Sequence, residues 1–392
     1  MQEGRQNSVR SNAGRGGFVA VGRDSDRIPE SPDAGGDACA TLRLELVWLT
    51  GTAHNLAPMK PLYFLPLVTL IFASSALGEE PPAFTGSIER LDPALDKLIA
   101  PDAKIEVLAT GFNWSEGPTW FQDKLVFSDV PENTVFGWKE GDTTAAVVLK
   151  PSGSSSLDAS TQGSNGLTTD AAGRLILCQH GDRRIARLEK DGTFMSIADR
   201  YNGKRFNSPN DLVIAADGSI YFTDPPYGMK GGAKSAEKEQ PCNGVYRIAP
   251  DGKVTLLIDD LTFPNGIAFS PDGGTLYVGV SDPEAPRIMA YAVQADGSVT
   301  PGKVLFDATP LKNATKKGSC DGMKVDKEGN IWTTGPGGVL ILDKAGKHLG
   351  TILTGQATGN CAWGGPSYDT MYITADMFLL RVRTLTTGAG GR

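Results

Sequence analysis

From residue 105 onward the chain alternates short apolar runs with polar turns, and helical periodicity is almost absent. The clearest unit is Phe263-Pro-Asn-Gly-Ile-Ala-Phe-Ser-Pro-Asp-Gly-Gly-Thr-Leu-Tyr-Val-Gly-Val-Ser-Asp282. It reads as an Asn-Gly, a short strand, an Asp-Gly turn and a second strand that ends on Asp282. The same order recurs six times. The slot held by Asn265 is held by Glu116, Asn165, Asn210, Asp321 and Asn360 in the other copies, at intervals of 39 to 56 residues. A second strand starts 9 to 11 residues after each slot, at Leu125, Leu175, Ile220, Leu276, Ile331 and Met371.

Each repeat holds up to four strands, A to D. In the fourth they are predicted at 266–269, 276–280, 288–293 and 304–307, and in the third at 212–215, 220–223, 244–248 and 254–258. Turns between A and B carry Ala172-Gly173, Asp217-Gly218, Asp272-Gly273 and Glu328-Gly329, which suit hairpins. Six such units predict an all-β, six-bladed β-propeller with four-stranded blades. A β-sandwich would not give such regular spacing. The last repeat offers only A, B and C, ending near 379–382, so the N-terminal strand at 105–109 is expected to close the last blade. The propeller is placed at 105–385, with 79–104 as a linker and 386–392 as a disordered tail.

The chain before residue 79 has a different character. Residues 1–58 are rich in Gly, Arg, Ser and Asp and read as disordered or as translated upstream sequence. Residues 59–78 combine Met59-Lys60, an apolar run at 62–73 and small residues at Ala76 and Gly78, the layout of a signal peptide. That run is short of the roughly 20 residues of a membrane span. The expectation is a mature chain starting near Glu79, periplasmic or secreted, with no membrane attachment after cleavage.

Composition narrows the function. The 392 residues are 40% apolar and carry a net charge of −7 with no basic block, which argues against nucleic-acid binding. Phosphate-loop and dinucleotide fingerprints are absent in a strand-to-helix context, as is a Gly-x-Ser-x-Gly nucleophile elbow. Cys178, Cys242, Cys320 and Cys361 lack zinc-type spacing. Export would permit disulfides, but no pairing follows from the spacing.

In a propeller, strand A lines the central channel, so the six slots share one face with the loops after strand B. Asp129, His180, Asp224, Tyr227 and Asp282 follow strand B, and the long loops 151–163, 228–241 and 312–319 lie on the same side. Among the slots only Glu116 and Asp321 are carboxylates. Two negative charges with several amide oxygens suit a hard divalent cation, Ca²⁺ best, with Mg²⁺, Mn²⁺ and Zn²⁺ as alternatives. The absence of histidine and thiolate from the slots counts against zinc and copper. Any single Asn or Asp in a slot could equally just begin a turn. Glu116, Asn265 and Asp321 are the first choice of ligands and Asn210 the next. His180, in Cys178-Gln-His-Gly-Asp-Arg183, could bind substrate or move a proton, whereas His348 sits at a rim and reads as solvated.

Taken together, Ser115-Glu-Gly-Pro118, Ser164-Asn-Gly-Leu167, Cys178-Gln-His-Gly181, Phe206-Asn-Ser-Pro-Asn-Asp-Leu212, Tyr221-Phe-Thr-Asp-Pro-Pro-Tyr-Gly228, Phe263-Pro-Asn-Gly266, Cys320-Asp-Gly-Met323 and Asn360-Cys-Ala-Trp-Gly-Gly365 form a recognisable set. In these the chain resembles the gluconolactonase/regucalcin (senescence marker protein) family of calcium-dependent six-bladed propellers, in its bacterial gluconolactonase-like branch. The resemblance implies hydrolysis of a small sugar lactone, such as gluconolactone, by metal-activated water. It matches Glu116, Asn265 and Asp321 to the metal ligands and Asn210 to a position touching metal or substrate. Asp321 is then the first candidate base and His180 the second, with Asn165, Asn210, His180, Tyr227 and Asn360 expected around the substrate. Ser208 stands where one branch has an arginine for the sugar acid, so the sugar preference stays open. Two rivals share the fold: a calcium-dependent phosphotriesterase and a non-catalytic ligand-binding propeller.

Overall fold

A computed structural model of the protein describes residues 83–156 and 162–390. The expected extension at 1–58 and signal peptide at 59–78 lie outside the described residues.

Among the described residues six antiparallel blade sheets follow one another, with a two-stranded ribbon, Arg200–Tyr201 and Lys204–Arg205, between the second and the third. Blade 1 is Ser115–Phe121, Lys124–Asp129, Thr134–Trp138 and Ala146–Leu149. Blade 2 is Ser164–Thr169, Leu175–Gln179, Arg184–Leu188 and Phe194–Ala198. Blade 3 is Leu212–Ile214, Ile220–Asp224, Gly244–Ile248 and Val254–Ile258, and blade 4 is Pro264–Phe269, Thr275–Val280, Arg287–Ala292 and Lys303–Asp307. Blade 5 runs Met323–Val325, Ile331–Gly335, Gly338–Leu342 and His348–Leu353. Blade 6 takes Asn360–Gly364, Thr370–Ala375 and Phe378–Arg383 from the end of the chain and Ile105–Thr110 from its start. That outer strand pairs Ile105 with Val382 and Thr110 with Phe378, so the first and last strands of the propeller close the ring within one sheet.

The hydrophobic core lies between blades. Six clusters fill the six junctions, for example Ala268, Tyr277, Ile288, Met323 and Leu340 between blades 4 and 5, and Val126, Val135, Leu167 and Leu177 between blades 1 and 2. Large side chains such as Trp332, Phe127 and Phe222 are fully enclosed, each contributing roughly 2–3 kcal/mol. Strand B of each blade is almost wholly buried and carries large apolar residues on both faces, as in Leu-Ile-Leu-Cys of blade 2.

Two expectations about the chain ends need correction. The supposed linker is structured: Ser87–Arg90 adds a fifth strand to blade 5, pairing with Thr351 and its neighbours, and a 3₁₀ turn at Pro93–Lys97 follows. Leu95 and Ile99 from this stretch are fully buried against blades 5 and 6. The supposed disordered tail is ordered through residue 390: Leu385 N–H donates to Leu98 O, and Ala389 N–H to Val325 O. Both segments were too short and too weakly patterned to be read as elements, and both gain their order from docking on finished blades.

Candidate active site

Each slot lies where strand A enters the channel, and the residue after it explains the recurring glycine. Gly266 N–H donates to Asp321 O at 3.1 Å in the next blade, and Gly166 N–H to Asn210 O at 2.8 Å. A Cβ on Gly266 would stand 2.1 Å from Asp321 O, and one on Gly117 2.1 Å from Asn165 O. Neighbouring inner strands approach too closely there for any side chain. Hydroxyls at the ends of strands B reinforce the lacing: Ser128 Oγ donates to Asn165 O and Thr223 Oγ1 to Asn265 O. The slot side chains are thus carried on backbone braced by the next blade.

Glu116 is buried, with Gly117 N–H donating to its Oε2 at 3.0 Å. Burial, with the Asp211 carboxylate nearby, pushes its pKa up to about 7. Asp321 keeps some exposure to the channel mouth, yet the surrounding protein, with Glu116 and Asp211 behind, raises its pKa well above the usual carboxylate range. Asn265 is buried; its Nδ2 donates to Ser281 Oγ at 2.8 Å, its amide also bonds the Asp321 carboxylate, and its Oδ1 has no partner. Tyr227 stacks on Phe263 with ring centroids 5.9 Å apart, and its hydroxyl reaches Ser281 and Asn265. Burial and the Asp321 charge hold that phenol strongly protonated.

His180 is 1% exposed. Its Nδ1 lies 2.9 Å from Gln162 Oε1, an acceptor, so Nδ1 carries the hydrogen and Nε2 is left as an acceptor. Nε2 is buried and unpartnered. Burial pushes the imidazole pKa down to about 3, so the ring is neutral and a weak base. Asn165 and Asn210 are buried, and both offer backbone carbonyls to the preceding blade. Asn360 Nδ2 donates to Asp211 Oδ2 at 3.3 Å, and the same side chain bonds Glu116.

The structure therefore brings Glu116, Asn265, Asp321, Tyr227 and Asn360 into one connected group. It sets three other residues of this face apart. Asp129 accepts from Asn113 N–H and Trp114 N–H, Asp224 from Asn207 N–H, and Asp282 from Glu284 N–H. These aspartates brace loops, and Asp224 in addition leaves its Oδ1 buried and without a hydrogen-bond partner. His348 is half-buried rather than solvated, bonded to Thr351 Oγ1 and packed on Phe306. Cys178, Cys242, Cys320 and Cys361 are free thiols. Sequence reasoning missed Asp211, which is buried and electrostatically coupled to both slot carboxylates. Its signal was available: Asp211 stands where four of the six copies place glycine.

Among the described residues, no three His, Cys, Asp or Glu side chains are arranged to hold a metal ion by themselves. Glu116 and Asp321 would need amide oxygens beside them, and the unpartnered, buried Asn265 Oδ1 is one. Two raised carboxylates and an orphaned amide oxygen are the features a hard cation would satisfy.

The pattern described as SMP-30/Gluconolactonase/LRE-like region matches residues 114–376, from just before the first slot to the end of the strand Thr370–Ala375 in blade 6. The chain belongs to this family. It is 38% identical over 319 residues to a gluconolactonase of Zymomonas mobilis, a match covering 77% of this chain and 87% of the relative. It also superposes on the structure of a gluconolactonase from Xanthomonas campestris with a TM-score of 0.67 and 34% identity, covering 78% of this chain and 99% of that one. A calcium-binding regucalcin from Agrobacterium tumefaciens, at 23% identity and a TM-score of 0.57 over 72% of this chain and 94% of that one, shares the fold.

Proposed function

We propose that this protein hydrolyses a sugar lactone of the gluconolactone type, with a divalent cation, Ca²⁺ foremost, held by Glu116, Asn265 and Asp321 and approached by Asn210. The observation that carries the reading is the buried, unpartnered Oδ1 of Asn265, a residue whose amide bonds the Asp321 carboxylate. The family relationship to gluconolactonases supplies the substrate class. When bound, the cation would supply Lewis-acid stabilisation of the charge that develops on the lactone carbonyl oxygen.

The chain's own residues account for the rest. Asp321 is the candidate general base that takes a proton from the attacking water, because its carboxylate is partly open; its raised pKa belongs to the cation-free protein, and a bound divalent ion would lower it. Tyr227, kept protonated, can donate a hydrogen bond to a substrate oxygen. His180 presents a neutral Nε2 lone pair, suited to accept from a sugar hydroxyl, while its low pKa makes it the poorer base. Hydrolysis consumes one water: the acyl C–O bond of the ring breaks, and the former ring oxygen leaves as a hydroxyl.

The test is hydrolysis of glucono-1,5-lactone, followed by proton release, on protein treated with chelator and then resupplied with CaCl₂. Turnover should vanish with chelation and return with Ca²⁺. Full turnover in excess chelator would overturn the cation assignment, and no lactone turnover in any metal would overturn the substrate class.

A further inference from the structure

The channel has a second layer beneath the proposed cation. Asp211, in blade 3, accepts from Asn360 Nδ2, in blade 6, at 3.3 Å, joining blades on opposite sides of the ring. Leu212 N–H fixes the other Asp211 oxygen at 2.8 Å. Asn360 passes the contact upward by bonding the Glu116 carboxylate. Its own Oδ1 receives Cys361 N–H at 2.9 Å and lies 3.5 Å from Lys324 Nζ. Two of the recurring glycines make room for this layer: a Cβ on Gly166 would lie 2.8 Å from Asp211 Oδ1, and one on Gly322 1.9 Å from the Asn360 amide carbon.

Lys324 also lines a cavity of about 600 Å³ that opens at the opposite face, walled by Leu212, Ile267 and Val325. The Asp211–Asn360–Lys324 layer is therefore the floor between the candidate active site and that rear channel. Its charges are unequal. Burial raises the pKa of Glu116, Asp211 and Asp321 alike, with only Lys324 opposing them; ionised together, as a bound cation would hold them, three negative charges and one positive would leave two negative, the complement of one divalent ion. Asn265 Oδ1, buried and unpartnered beside Asp321, is an independent sign that something beyond the protein completes this group.

We infer that Asp211 is a positioning residue for the cation: through Asn360 it orients Glu116, and its charge beneath the site strengthens cation binding, which Lys324 opposes. This rests on the cation reading proposed above. The buried bond across the ring fixes Asn360 with its amide hydrogens toward both carboxylates, so the Glu116 carboxylate is held in one orientation, with lone pairs not used by Asn360 and Gly117 left for the ion. A bare tie between blades 3 and 6 would need neither a carboxylate nor the lysine that tempers it, since an Asn–Asn pair would serve.

The experiment is calorimetric titration of metal-stripped full-length protein with CaCl₂ for wild type, Asp211→Asn and Lys324→Met, with thermal melts in chelator to establish folding. Asp211→Asn should weaken Ca²⁺ binding tenfold or more, on the scale expected of residues that orient metal ligands. Lys324→Met should tighten it several-fold. The opposite signs identify an electrostatic and orienting role, because a structural defect would weaken binding in both variants. Equal affinity in Asp211→Asn and wild type would overturn the inference, as would weaker binding in Lys324→Met. Should Asp211→Asn fail to fold, the direction of Lys324→Met alone decides. Wild-type protein that binds no Ca²⁺ would overturn the underlying cation reading instead, a result distinct from either.

Discussion

Replacing Glu116 with Gln separates a cation site from a buried turn. In the metal-free protein Glu116 titrates near 7 rather than at its ordinary 4.5. A carboxyl raised in the folded state contributes stability below its unfolded pKa and loses it as pH rises through the folded value. A rise from 4.5 to about 7 destabilises the fold above pH 7 by a few kcal/mol, since each tenfold change in proton affinity is worth about 1.4 kcal/mol. Gln fits the same space against Gly359 and keeps one acceptor for Gly117 N–H. It loses the second carboxylate oxygen, which offsets about 1 kcal/mol. In chelator at pH 7.5, Glu116→Gln should therefore be more stable than wild type by about 2 kcal/mol, raising Tm by about 3 °C at roughly 0.6 kcal/mol per degree for a domain of about 300 residues. Added Ca²⁺ should reverse the order, since binding at 100 times Kd stabilises only the competent protein, by about 2.7 kcal/mol. Differential scanning fluorimetry with chelator and with millimolar CaCl₂ measures both halves. The reasoning is refuted by a variant less stable than wild type in chelator, or by equal Ca²⁺ shifts in the two proteins.

Three further outcomes follow from the same structure. His180 is neutral in the fold with a pKa of about 3 against an ordinary 6.5, so it contributes stability above pH 6.5 that is lost as pH falls; between pH 7 and 5 the stability of His180→Gln relative to wild type should improve by about 2 kcal/mol, read from thermal melts at each pH. Gly266→Ala would bring a Cβ to 2.1 Å from Asp321 O, and should cost about 2 kcal/mol or more by denaturant titration while weakening Ca²⁺ binding. Arg381 joins the closing strand through Glu106 at 2.8 Å and reaches Glu140 at 2.6 Å; both acids are substantially exposed, so Arg381→Met should cost only about 1 kcal/mol, with the loss shrinking in high salt.

The architecture was legible in the sequence because a propeller is built from local signals. Hairpin turns such as Asp217-Gly218, with Gly218 at φ 84° and its N–H donating to Ala215 O, are specified within a few residues. Repeating them at blade spacing specifies the ring, and even the closing strand at 105–109 followed from a missing fourth strand in the last repeat. The slots were equally visible, since the close approach of neighbouring inner strands forces glycine after most of them. What stayed hidden depends on partners distant in the chain. The Asp211–Asn360 bond joins residues 149 apart, and the burial that raises Glu116 and lowers His180 comes from neighbouring blades and loops. The strand at Ser87–Arg90 is ordered by the exposed edge of His348–Leu353, some 260 residues onward. Local pattern thus determined the ring and the identity of the side chains at its mouth. Only the closed ring decided which of them share one low-dielectric channel, because charge coupling and exclusion of water arise from enclosure, and enclosure belongs to all six blades together.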